Sequence, residues 1–371
     1  MGCQWGRGIF RGKSLNGHAI SGVDAMDQDK LKKLREKYEG KGIYESHTEK
    51  FQTIAESLTG GDTNVKNRPK PYSGISTFLD APSQDTFEGL DIALIGVPMD
   101  LAVSNRAGAR LGPRAVRQIE RIGPYNHETG VMPHDLAKFA DVGDVPFRSR
   151  YSLDDSMEDI ENYYKMIKEA GILPISIGGD HSISYPILRA LGAEQPVAMI
   201  HIDAHCDTGG EFDGSKFHHG GPFRGAVLDG VLDPEKTIQI GIRGSSEMIW
   251  EFSYESGMTV LHVEDVMRMG IPAVIKKTRD LIGDHPVYLS IDVDGFDPAY
   301  APGTGTPEVG GLIPREGIQF LRGLMGMNFI GADMVEVAPM YDPTTNTAQL
   351  GAQLVFEELC LLADAHHRRQ K

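Results

Sequence analysis

A chain of 371 residues with 40% hydrophobic and 24% charged residues has the composition of a soluble globular protein, one large α/β domain or two small ones. Its formal net charge of −15 argues against partners such as nucleic acid or an anionic membrane, which need basic patches. Cys3, Cys206 and Cys360 stand alone without C-x-x-C spacing, so neither a disulfide framework nor a zinc ribbon is implied. No apolar run reaches the ~18 residues of a membrane span. The start, M-G-C-Q-W-G-R-G, has no apolar signal stretch, and a cytoplasmic location is expected.

Residues 1–85 read as a polar, Gly- and Lys-rich extension. Within it, Ala25–Tyr38 has the pattern of one charged amphipathic helix, and K-N-R-P-K-P-Y-S-G at 66–74 that of an extended, proline-punctuated linker. So little apolar surface cannot fold alone, so the extension is expected to pack on the main domain or on a neighbouring subunit. The main domain, 86–371, opens with the apolar strand D-I-A-L-I-G-V-P at 91–98. In R-A-G-A-R-L-G-P-R-A-V-R at 106–117, Gly108 and Gly112 permit tight turns and Pro113 begins a helix. Further strands are predicted near 173–177, 197–203, 237–242, 259–263, 287–293 and 330–337, with helices between them, for example Leu153–Ala170 and Pro272–Ile282. That alternation predicts an α/β fold: a three-layer αβα sandwich around a mainly parallel sheet.

Three of the predicted strands end in residues that bind metals. I-S-I-G-G-D-H-S, 175–182, carries His181; M-I-H-I-D-A-H-C-D-T, 199–208, carries Asp203, His205 and Asp207; L-S-I-D-V-D-G-F-D-P, 289–298, carries Asp292 and Asp294. Open α/β sheets place their sites at such carboxyl ends. Taken singly, D-x-H-x-D could cap helix termini, D-x-D could be an ion-pair anchor or a calcium loop, and G-G-D-H-S a tight turn. Together, two histidines and four aspartates carry too much negative charge to be buried unpaired, and suit two divalent cations sharing carboxylates. Cys206, between two of these residues, is expected by strand alternation to point away and to serve packing.

The same three runs, with S-I-D-V-D-G-F-D-P-A-Y-A-P-G-T-G-T-P-E-V-G-G from Ser290, closely resemble the ureohydrolases (arginase, agmatinase, guanidinobutyrase and their relatives), in order from about Asp91 to Glu358. The resemblance implies an arginase/deacetylase-like fold and a binuclear site. His181 and Asp207 would serve one metal and His205 and Asp294 the other, with Asp203 and Asp292 bridging. It also implies that His219, in H-H-G-G-P-F, relays protons, and that Glu336, in M-V-E-V-A-P, holds a guanidinium group. His218 is the competing histidine, and an ion pair with an arginine the competing role for Glu336. The implied reaction is attack of a metal-activated hydroxide on the guanidinium carbon, with Asp207 accepting and passing on a proton. Its products would be urea, or a substituted urea, and an amine or ammonia.

The insert T-G-G-E-F-D-G-S-K-F-H-H-G lacks the asparagine- and serine-rich run of arginases, whereas its start, Asp207 through Phe212, has an agmatinase-like form. C-D-T in place of T-D-T and the long extension depart from the compact agmatinases, and an extension closing in Y-S-G-I-S-T-F at 72–78 resembles the branch that acts on compact guanidines and biguanides and favours nickel. The expected substrate is therefore a compact guanidine or biguanide, with agmatine or guanidinobutanoate as alternatives, and the expected cofactors two nickel or manganese ions. Two other functions compete: a structural subunit of a hetero-hexamer with an active paralogue, and a single-zinc deacetylase-type hydrolase. The resemblance further implies a homo-hexamer or trimer.

Overall fold

The computed structural model describes residues 27–42, 52, 73–120, 122–244 and 247–371. The chain divides into two units, residues 1–55 and 56–371. The first holds the helix Gln28–Tyr38, started by Asp27, whose side chain accepts from the Asp29 and Lys30 amides; it buries none of its residues. The linker predicted at 66–74 lies outside the described residues up to position 72.

The larger unit is built on one eight-stranded sheet. Its strands are β1 (Ile92–Val97), β2 (Phe139–Asp144), β3 (Leu173–Gly178), β4 (Val197–Ile202), β5 (Leu232–Ile242), β6 (Thr259–His262), β7 (Val287–Asp292) and β8 (Phe329–Val335). They lie in the order β2-β1-β3-β8-β7-β4-β5-β6, and every neighbouring pair is parallel. A wholly parallel sheet needs both faces covered, because each crossover lays a helix on one of them. Alternate side chains show the consequence. Ile92 and Leu94 join a core with helices Ile271–Ile282, Pro314–Gly323 and Asn346–Arg369. Ala93, Ile95 and Val97 join a second core with helices Leu153–Glu169, Ser184–Leu191 and Pro222–Leu228. The three-layer αβα sandwich is therefore realised, with a sheet that is parallel throughout. Each fully buried aliphatic side chain contributes about 1.5–3 kcal/mol to it.

Local chemistry sets several boundaries. Ser152 caps the helix Leu153–Glu169 by accepting the Asp155 amide at 3.2 Å. Edge strand β2 is secured by Arg117, which reaches Asp141 at 2.8 Å and Asp144 at 2.6 Å and lies over the Phe78 ring at 4.0 Å. Phe78 is fully buried and donates its amide to Asp141 at 3.0 Å, so this part of the segment before β1 packs on the sheet. Among the described residues no helix is long and apolar enough to cross a membrane.

Candidate metal centre

Four adjacent strands, β3, β8, β7 and β4, end side by side, and the backbone keeps them in step beyond the strands themselves. Past β3, Gly179 donates to Val97 O at 3.1 Å and Asp180 to Met99 O at 2.8 Å. A Cβ on Gly179 would lie 2.4 Å from Met99 O and 2.5 Å from Val97 O, so only glycine allows this approach. Glu336, just past β8, donates its amide to Gly179 O at 2.9 Å and so lies beside His181. Asp203, just past β4, donates its amide to Ile240 O at 3.1 Å.

The six sequence-predicted ligands converge there. His181 Nδ1 lies 2.8 Å from Asp207 Oδ2, 3.1 Å from Asp203 Oδ2 and 3.4 Å from Asp292 Oδ2. His205 Nδ1 lies 3.1 Å from Asp294 Oδ2 and 3.4 Å from Asp203 Oδ1. Asp203 thus turns one oxygen toward each histidine. His181, Asp203, Asp207, Asp292 and Asp294 are buried, and His205 is partly open. His181 Nδ1, although close to three carboxylates, makes no hydrogen bond to any of them. Its tautomer gives the reason. Ser290 Oγ donates its one proton to Asp333 at 2.6 Å, so it accepts from His181 Nε2 at 2.9 Å, and in the neutral ring the Nδ1 lone pair faces the carboxylates.

Charge tells the same story. Burial, with Asp294 and Asp203 adding to it, drives Asp292 well above the usual carboxylate range. Burial and Asp203 likewise push Asp294 up to about 6. Burial works to raise Asp203 too, yet His201, His181 and His205 hold it well below that range. Burial would lower His181 and His205, but the same carboxylates carry both well above an ordinary histidine. A space walled by mutually repelling carboxylates, with the buried His181 Nδ1 left without a hydrogen-bond partner, calls for cationic charge. The ligand atoms of Asp203, His205 and Asp294 fall within 4.8 Å of one another, as do those of His181, His201 and Asp203. Hard oxygens with two imidazoles suit divalent transition ions.

His219 and Glu336 lie beside this cluster. His219 Nδ1 meets Glu336 Oε1 at 2.9 Å, and that oxygen also accepts the His181 amide at 3.0 Å. The partner of Glu336 is therefore a histidine and not an arginine. Its other oxygen, Oε2, is buried with no hydrogen-bond partner. Gly305 lies beside that oxygen, and a Cβ there would sit 3.5 Å from it, in van der Waals contact. His218 instead donates from Nε2 to Gly210 O, 2.6 Å away, and props the insert. In the field of the carboxylates alone, burial lowers His219 while Glu336, Asp207 and Asp180 push it up to about 9. Asp207 (φ 51°) and Glu336 (φ 65°) both hold left-handed backbone, which turns each carboxylate back toward the site and costs about 1–2 kcal/mol.

Sequence reasoning missed several participants. His201 donates from Nε2 to Asp203 Oδ2 at 2.8 Å, because Gln239 Nε2 occupies its Nδ1 at 3.1 Å. His201 and Asp203 are two apart on β4 and its continuation, hence on one face, and that spacing was the available signal. Cys206 is buried, as expected, but β4 ends at Ile202, so packing and not strand alternation places it.

A model of the arginase family matches residues 90–360. The chain is similar to the guanidinopropionase of Pseudomonas aeruginosa, 45% identical over 301 residues that span 80% of this chain and 94% of that one. It is 46% identical over 293 residues to the mitochondrial agmatinase of Gallus gallus, covering 78% and 86%. Its structure is similar to proclavaminate amidino hydrolase from Streptomyces clavuligerus, with a TM-score of 0.76, 34% identity, and coverage of 80% and 99%.

Proposed function

This chain belongs to the arginase family, and we propose that it hydrolyses a guanidino C–N bond with two divalent metals held by His181, Asp203, His205, Asp207, Asp292 and Asp294. The observation that carries this reading is the division of Asp203's oxygens between two histidines, beside a buried Glu336 oxygen with no partner. Bound there, the two cations would supply the Lewis acidity that lets water attack as hydroxide at neutral pH. Asp207 receives the proton released by the attacking water. Glu336 Oε2 accepts a hydrogen bond from the guanidinium and balances its charge, and its buried position makes that contact strong. His219, bonded to the same carboxylate, lies where a proton must reach the departing nitrogen. The products are urea, or a substituted urea, and an amine or ammonia.

For the substrate we propose a compact guanidine or biguanide, on the strength of the long extension, with nickel as the metal ahead of manganese. The names of the relatives favour a second reading, a chain-linked guanidino compound such as agmatine or a short guanidino acid. We also propose a homo-oligomer in the cytoplasm. Release of urea and amine from guanidine, a dimethylbiguanide, agmatine, 4-guanidinobutanoate and arginine, with nickel and with manganese, separates these readings. Turnover of the first two selects the compact class and of the next two the chain-linked class. Silence on all five, with two metals bound, overturns the hydrolase reading in favour of a structural subunit.

A further inference from the structure

His219 is held at both ring nitrogens. Nδ1 meets Glu336, while Nε2 meets two groups of one residue: the Ser104 amide at 3.2 Å and the Ser104 hydroxyl at 2.7 Å. An amide N–H can only donate, so a proton on Nε2 would confront it. The amide therefore makes Nε2 an acceptor and leaves the ring proton on Nδ1, where it is given to Glu336. The loop that carries Ser104 is itself fixed. Ala102 donates its amide to the buried Asp180 at 3.1 Å and accepts the His219 amide at 3.0 Å. Glu336, Asp180 and Asp207 are the charged groups that face His219, and cations bound among the carboxylates would cancel much of their pull toward an imidazolium. His219 is buried, but Ser104 is exposed. The hydroxyl is thus the link between the buried ring and solvent.

We infer that Ser104 is a further working residue of this site: its amide holds His219 neutral as the Nδ1–H form, and its hydroxyl resupplies that ring with protons from solvent. The inference rests on the hydrolase reading above. In the transfer, Nδ1 gives up its proton toward the departing nitrogen as Nε2 takes one from Ser104 Oγ, and a solvent water restores the hydroxyl proton. The ring is left in the Nε2–H form that the Ser104 amide disfavours, and it resets when Asp207 passes the attacking water's proton to Nδ1 while Nε2 returns its own through Ser104 Oγ to the hydroxide left in solvent, so that ring, hydroxyl and carboxylate end as they began.

Two measurements test it. Ser104→Ala keeps the amide and removes the hydroxyl; kcat is expected to fall roughly 10- to 100-fold with KM within about twofold, and Ser104→Thr to recover to within about threefold of the parent. A merely structural hydroxyl would lower stability without that split or that rescue, and an unchanged kcat in Ser104→Ala overturns the relay. Independently of turnover, nitrogen NMR of isotope-labelled histidines in the zinc-loaded protein, assigned with His219→Gln, should show His219 neutral with its proton on Nδ1 at neutral pH. An imidazolium, or a proton on Nε2, overturns the inference even if the protein hydrolyses guanidino compounds. A parent without activity on any guanidino compound overturns the proposed reaction instead, and the relay that rests on it.

Discussion

Replacing Glu336 with glutamine isolates the charge of the one site carboxylate assigned to the substrate and not to metal. The glutamine oxygen still accepts from His219 Nδ1 and the His181 amide, now 2.9 and 3.0 Å from Oε1, so the local structure is expected to persist. What changes is the position of Oε2, a buried acceptor without a partner, which becomes an NH2 group aimed where guanidinium N–H groups must lie. A hydrogen bond to a charged group contributes about 1.5–3 kcal/mol, and unpairing a buried charge costs about 2–5 kcal/mol. A loss of about 3–4 kcal/mol in transition-state binding corresponds to roughly 100- to 1000-fold in kcat/KM. The assay is kcat/KM on whichever guanidino substrate the parent turns over, with bound metal counted in the same preparations. Two equivalents of metal and an unchanged melting temperature should accompany the loss. A variant within about threefold of the parent would refute the assignment of Glu336 to the guanidinium. A variant that had lost metal would show that the residue acts on loading instead.

Asp203→Asn should abolish binding of both metals by calorimetry, since one residue serves both histidines, whereas Asp294→Asn should spare one; equal losses would contradict the bridging geometry. Chelation should lower the melting temperature of the parent and leave that of Asp203→Asn unmoved, as expected if metal binds only the folded chain. Gly179→Ala should destabilise by about 1–3 kcal/mol in denaturant titration, because its Cβ would sit 2.4 Å from a backbone carbonyl that cannot swing away; near-parent stability would mean that this turn yields. Deleting residues 1–70 should widen the substrate range, and unchanged selectivity would remove the extension from the account of specificity.

The strands that were legible in the sequence are those buried on both faces, where unbroken apolar runs such as Ile92–Val97 leave no other reading. β2 escaped because F-A-D-V-G-D interrupts its apolar residues with two aspartates and a glycine, and its place at the edge depends on Arg117, more than twenty residues earlier in sequence. β5 begins five residues before its apolar run, through Pro234 and Lys236, and the register between β4 and β5 shifts at that point. A proline in a strand reads as a break, and only the irregular pairing accommodates it.

The cluster of histidines and aspartates was legible for a different reason: its residues follow strand ends, so short motifs carry both identity and place. What surrounds it is not local. Ser104 meets His219 across 115 positions and Asp333 reaches His181 only through Ser290, contacts that parallel crossovers create and no sequence window contains. The left-handed turns at Asp207 and Glu336 are equally silent in the sequence, since nothing about an acidic residue announces positive φ. Their position gives them a purpose. Glu336 follows directly on β8, Asp207 lies in the loop five residues past the end of β4, and at each a left-handed residue turns the chain and aims the carboxylate at the site. The strain of about 1–2 kcal/mol at each is borne by the two carboxylates proposed to handle the proton and the substrate, while Asp203, Asp292 and Asp294 have no positive φ. Within the site, strain therefore coincides with the proposed proton acceptor and substrate anchor, and a fixed backbone keeps both carboxylates aimed.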